Sequence, residues 1–187
     1  MRLQTSDILK ILKATADNLH WDGENIEILL IGGAAGMLTG QLSAHRVTQD
    51  CDVMNFRPQE AQNAVLDAAE QTAKTEGLPE QWLSTQAMDT LVILPNGWHA
   101  RRIHIETFGK LSIYAVSRLD LLAMKFYANR PQDRQDIIEM KPSPEEIEYV
   151  RKYLDMLRVP SRQADLDQVV SAFKLVDAIE DMFYGGR

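Results

Sequence analysis

The stretch Ile26–Phe56, IEILLIGGAAGMLTGQLSAHRVTQDCDVMNF, decides the fold. Its first six residues, Ile26–Ile31, form an apolar run broken only by Glu27, the pattern of a strand buried on both faces. Gly32-Gly33 interrupts that run, and the small residues of AAGMLTGQLSA read as a short helix. Asp50–Asn55 returns the chain as a second strand. If the two strands are neighbours, this order brings the glycine break and the acidic strand start side by side.

Residues two apart on a strand project from one face, so Asp50 and Asp52 share a side with their Cα atoms about 6–7 Å apart. Two carboxylates held that close are hard oxygen ligands for a divalent cation, Mg2+ or Mn2+. Cys51 between them points the other way and reads as core. Glycine lets a backbone approach phosphate closely, and the free N–H groups of a following helix favour its negative charge. A phosphate cradle beside metal-holding carboxylates is what phosphoryl or nucleotidyl transfer requires. Either element alone is commonplace, and only their conjunction carries the reading.

Working outward, a first helix is expected from about Ser6 to Leu19, capped by Thr5 or Ser6. Pro58–Lys74 is a second, with an apolar stripe at Ala61, Val65, Leu66 and Ala69. Thr90–Leu94 and Ala100–Phe108 flank Pro95-Asn96-Gly97, a hairpin signal, and Leu111–Val116 adds a short strand. Beyond it everything reads as helix. Ser117-x-x-Asp120 and Ser143-Pro144-Glu145-Glu146 are capping-box starts, and a last helix spans about Ser161–Met182. The expected class is α/β (α+β): a small mixed sheet flanked by helices, with a helical C-terminal third. Residues 1–116 would form the sheet core with its N-terminal helix, and 117–187 a helical region packed on it.

Hydrophobic residues make up 45% of the 187 and charged ones 25%, values ordinary for a soluble fold with a real core. No apolar run reaches the ~18–20 residues that span a bilayer, and the amphipathic N-terminus lacks a cleavage site, so neither membrane insertion nor a signal peptide is expected. One cysteine forms no internal disulfide, which makes the cytoplasm the default compartment. The net charge of −7 argues against a broad nucleic-acid-coating surface. Residues 101–134 run against that trend, with seven basic and three acidic side chains giving +4, a balance suited to a small anionic ligand. The four histidines have no zinc-ligand spacing.

The segment 32–56 resembles the Gly-Gly/Ser…Arg-x-Thr-x-Asp-x-Asp signature of minimal nucleotidyltransferases in the DNA polymerase beta superfamily. Within it, the segment is most similar to the bacterial group that includes the abortive-infection, AbiEii-type toxin nucleotidyltransferases. Leu119–Ile137, LDLLAMKFYANRPQDRQDI, resembles that group's helical Lys-x-x-Ala-x-Arg-x-x-Asp-x-x-Asp signature. The resemblance implies a polymerase beta type sheet with helices at its side, and an NTP and Mg2+ (or Mn2+) as ligands. By position, Gly32 and Gly33 would hold the triphosphate, Asp50 and Asp52 the metal, and Lys125 a phosphate. Arg46 and Thr48 would orient the loop or touch the nucleotide, while Asp133 and Asp136 read as fixing a helix junction. The 16 residues between Gly33 and Asp50 exceed the group's usual spacing, so the intervening helix must be extended or irregular. For a third carboxylate the candidate is Glu106, which by alternation shares a strand face with His104 opposite Ile103 and Ile105. The implied function is metal-dependent transfer of a nucleotide from an NTP to an acceptor that is an RNA, a protein or a small molecule. A toxin with an antitoxin partner is one version, by analogy. The alternative is a catalytically inactive nucleotide-binding or protein-interaction module on the same fold.

Overall fold

The computed structural model describes residues 3–43, 45–89, 94–159, 162 and 164–185, which form two compact units. One contains the described residues up to Asp89 together with 102–116, and the other contains 94–101 and the described residues from Ser117 onward.

The first unit is built on the Ile26 run. Strand β1 (Ile26–Leu30) is the centre of a five-stranded mixed sheet, as its apolar character requires. It pairs antiparallel with β2 (Cys51–Arg57) and parallel with β5 (Leu111–Ala115). The short strand β3 (Leu83–Ser84) lies outside β2, and β4 (Ile103–Phe108) outside β5, giving the order β3-β2-β1-β5-β4. Ile26, Ile28 and Leu30 stand in register with Leu111, Ile113 and Ala115 on one side, and Ile28 with Phe56 on the other. These residues of β1, β2 and β5 are all buried. The opposite face carries Glu27, Asn55, Arg57, Ser112 and Tyr114. On it Arg102 holds Glu27 through two bonds of 2.6 and 3.1 Å and lies over the Tyr114 ring at 3.9 Å.

Helix α1 (Thr5–Asp17) follows a tight start in which the Asp7 carboxylate accepts from the Gln4 N–H at 2.9 Å, one residue before the expected cap. It packs on α3 (Gln62–Glu76), where Thr72 Oγ1 meets both Thr15 and Asn18. Trp82, fully buried, donates to the Ala69 carbonyl of α3 and accepts at its own carbonyl from the Cys51 N–H, so it fastens the start of β2. Between β1 and β2 lies α2 (Gly32–Leu38), only seven residues long. The long Gly33–Asp50 spacing is therefore absorbed by irregular chain after a left-handed Gly40.

Of the hairpin expected around Pro95-Asn96-Gly97, the second strand starts at Ile103 rather than Ala100. Residues 90–93, most of its expected first strand, lie outside the described residues, and beyond Gly97 the chain makes a single helical turn, Trp98–Arg101. A short helix, α4 (Gln86–Asp89), precedes this region, so the turn at 98–101 is α5. The hairpin partner of β4 is β5, joined through left-handed Gly109.

In the second unit, α6 (Arg118–Ala128), α7 (Pro131–Met140), α8 (Pro144–Leu157) and α9 (Leu166–Tyr184) enclose a core of Leu122, Phe126, Val150, Leu154, Val169 and Val176. Ser117 and Ser143 cap α6 and α8 as their sequences predict. Asp120, fully buried, accepts from Arg101, Ser117 and Tyr149, which ties α5 to the helices. Burial, reinforced by the Asp120 charge, pushes the Tyr149 hydroxyl up to about 12 from an ordinary 10. A proton held more tightly in the folded state stabilises it fully below pH 10, and that stability is lost as pH rises towards 12. Urea titrations between those values should show a shallower loss for Tyr149→Phe than for the parent chain; equal slopes would mean that Tyr149 does not titrate this way.

Candidate active site at the glycine loop

The Ile31 N–H donates to the Asp52 carbonyl at 3.0 Å, which sets the end of β1 beside the start of β2. The next residue, Gly32, has φ +65, a left-handed conformation that favours glycine. A Cβ there would lie 3.0 Å from Asp52 Oδ2, so the Asp52 carboxylate rests against the bare glycine backbone. A Cβ on Gly33 would lie 3.4 Å from Thr48 Oγ1 and 3.7 Å from Arg46 Nη2. Gly32, Gly33, Arg46, Thr48 and Asp52 thus converge on one loop edge, and Thr48 Oγ1 reaches the Asp50 carbonyl at 3.0 Å and its Oδ1 at 3.3 Å. The Arg46 guanidinium also donates to the Val47 carbonyl.

Cys51 is fully buried between the two aspartates, and burial, with the charges of Asp52 and Asp50 behind it, pushes its thiol far up. It is no nucleophile and no metal ligand in that state. The donors that remain are carboxylate oxygens, the hard set that Mg2+ or Mn2+ takes from a protein when phosphates and water complete its shell.

Glu106 is not brought to this pair. A bulge falls between His104 and Glu106, where one extra residue breaks the alternation assumed for the strand. His104 pairs with Tyr114 on the polar face, whereas Glu106 pairs with Ile113 on the apolar one. Strand β4 also lies three strand spacings from β2, about 14 Å across the sheet. The Glu106 carboxylate turns back to accept from the Thr107 N–H at 3.0 Å. The neighbour that the sheet does give Asp52 is Ser84, its register partner on β3. A two-residue strand after a helix carries no periodicity, so sequence reading missed it. Among the described residues no group of three His, Cys, Asp or Glu side chains is placed to hold a metal.

Residues 7–174 match the model of a family described as nucleotidyltransferase of unknown function (DUF6036). The chain belongs to that family. No curated protein and no solved structure matches it. Family membership agrees with the resemblance carried by Gly32-Gly33 and Asp50-x-Asp52, and it extends through most of the helical unit.

In the helical unit the Lys125 ammonium is 4% exposed and lies between Asp133 at 3.1 Å and Asp136 at 2.6 Å. Arg130 reaches Asp133 and Gln132 reaches Asp136, so both carboxylates are shared. The aspartates join α6 to α7, the junction role expected of them. Any contact of Lys125 with phosphate would have to displace two short bonds to buried carboxylates.

Three substitutions have defined outcomes. Gly32→Ala should destabilise the protein by about 1–2 kcal/mol through the left-handed backbone alone, and it should push the Asp52 carboxylate away, a change readable as lost metal response in a melting experiment. Lys125→Ala leaves two buried carboxylates facing each other and should cost about 3–5 kcal/mol by urea denaturation. Lys13→Ala, at an exposed pair on α1, should stay within about 0.5 kcal/mol.

Proposed function

We propose that Gly32, Gly33, Arg46, Thr48, Asp50 and Asp52 form a metal-dependent nucleotide site and that the protein transfers a nucleotidyl group from an NTP to an acceptor hydroxyl. The observation that carries this reading is the seat of the Asp52 carboxylate on the glycine loop, 3.0 Å from where a Gly32 Cβ would stand. A backbone free of side chains admits phosphate oxygens to a place where a carboxylate already waits to share their cation. α2 is too short for much macrodipole, so the Arg46 guanidinium beside Gly33 is the positive charge that the chain itself offers the phosphates.

In the transfer, the acceptor oxygen attacks the α-phosphorus, the bond to pyrophosphate breaks, and the acceptor proton passes to solvent. Bound Mg2+ would supply charge neutralisation of the phosphates. Asp50 and Asp52 hold it, and the glycine loop orients the triphosphate for attack. The acceptor is an RNA, a protein or a small molecule, and a toxin held in check by an antitoxin is one version, by analogy with the group the sequence resembles. A second reading, binding without transfer, is favoured by one observation: no third carboxylate joins the aspartates among the described residues.

Thermal melting with each NTP, with and without Mg2+, tests the site. Asp50→Asn combined with Asp52→Asn should abolish a metal-dependent rise in Tm, and an unchanged rise would overturn the assignment. Incubation of α-32P-labelled NTPs with total RNA and with the purified protein separates the two readings. Label moved out of the NTP, into acid-insoluble product or a new soluble species on thin-layer chromatography, supports transfer, and a Tm rise with all label left in the NTP supports binding alone.

A further inference from the structure

Asp50 and Asp52 are held by different means. Asp52 lies inside β2, its carbonyl bonded to Ile31 and its register partner Ser84 beside it. Asp50 precedes the strand, is exposed, and has no ladder to fix it. What reaches it is Thr48, buried to 9% exposure, whose hydroxyl stands 3.0 Å from the Asp50 carbonyl and 3.3 Å from its Oδ1. Thr48 is itself pinned from an unexpected quarter. Leu3, buried ahead of α1, forms an antiparallel bridge with it, Leu3 N–H to Thr48 carbonyl at 2.8 Å and Thr48 N–H to Leu3 carbonyl at 3.1 Å. Gly33 closes the other side of the threonine.

We infer that Thr48 is a positioning residue for Asp50 rather than a contact for the nucleotide, and that the Leu3 bridge holds it in place. The single hydroxyl proton is shared between the Asp50 carbonyl, which fixes the turn before β2, and Oδ1, which limits the carboxylate. Asp50 then meets a cation without the entropy loss of first ordering its own loop. This role rests on the proposed metal site. It differs from nucleotide contact in one respect: it acts on metal binding before any nucleotide is present.

The test is titration of the full chain with Mn2+, followed by electron paramagnetic resonance, alone and then with ATP. Asp50→Asn, Thr48→Val and Thr48→Ser are compared, with Tm recorded for each. Thr48→Val should weaken binding of Mn2+ alone by about tenfold or more, the loss usual for an outer-shell partner, and Thr48→Ser should restore it to within about twofold. Thr48→Ala replaces the valine variant if that chain misfolds, since both lack the donor. If Asp50→Asn weakens Mn2+ binding but Thr48→Val does not, or weakens only the ATP complex, the positioning role is overturned while the metal site stands. If Asp50→Asn leaves Mn2+ binding unchanged, the metal site and the role of Thr48 fall together.

Discussion

The bond from the Ile31 N–H to the Asp52 carbonyl registers the whole of the glycine-loop edge. It joins the residue that ends a buried strand to the second residue of its antiparallel neighbour, so the turn at Gly32 must occur directly against the Asp52 side chain. Any residue with a Cβ at Gly32 would meet both a backbone penalty and a carboxylate oxygen. The chain therefore has a glycine where two separate constraints coincide. Arg46, Thr48 and Asp50 acquire their places from the same registration, because the irregular chain after α2 has to end at the Cys51 amide held by Trp82.

The helical unit is organised differently. Its polar contacts are buried charges with several partners each: Asp120 with Arg101, Ser117 and Tyr149, and Lys125 with Asp133 and Asp136. Such groups are costly to desolvate and costlier still to leave half paired. Their strength as determinants lies in geometry. A helix junction with the wrong register would strand at least one of these charges in an apolar core. The basic balance of residues 101–134 seen in the sequence is thus partly neutralised by acids outside that segment, since Arg102 pairs with Glu27, Arg118 with Glu146 and Lys125 with Asp136.

The sheet centre, the glycine break, the aspartate strand and the helix caps at Ser117 and Ser143 were legible in the residues, because each is written in local terms. A buried strand is marked by a run of apolar residues, a left-handed turn favours glycine, and a hydroxyl three residues before a carboxylate favours a helix start. Ile26–Ile31, Gly32, Ser117 and Ser143 could all be read from their neighbours, and all lie within the span of the family match. Only the tertiary structure decided which side chains meet. The side-chain period of a strand is two, so the single extra residue between His104 and Glu106 carried Glu106 to the other face, and no residue pattern announces such a bulge. Lys125 was expected at a phosphate because helical spacing does not show that α7 folds back to present two carboxylates. The Leu3–Thr48 bridge joins residues 45 positions apart through backbone atoms, which every amino acid but proline possesses alike, and so left no mark on the sequence at all.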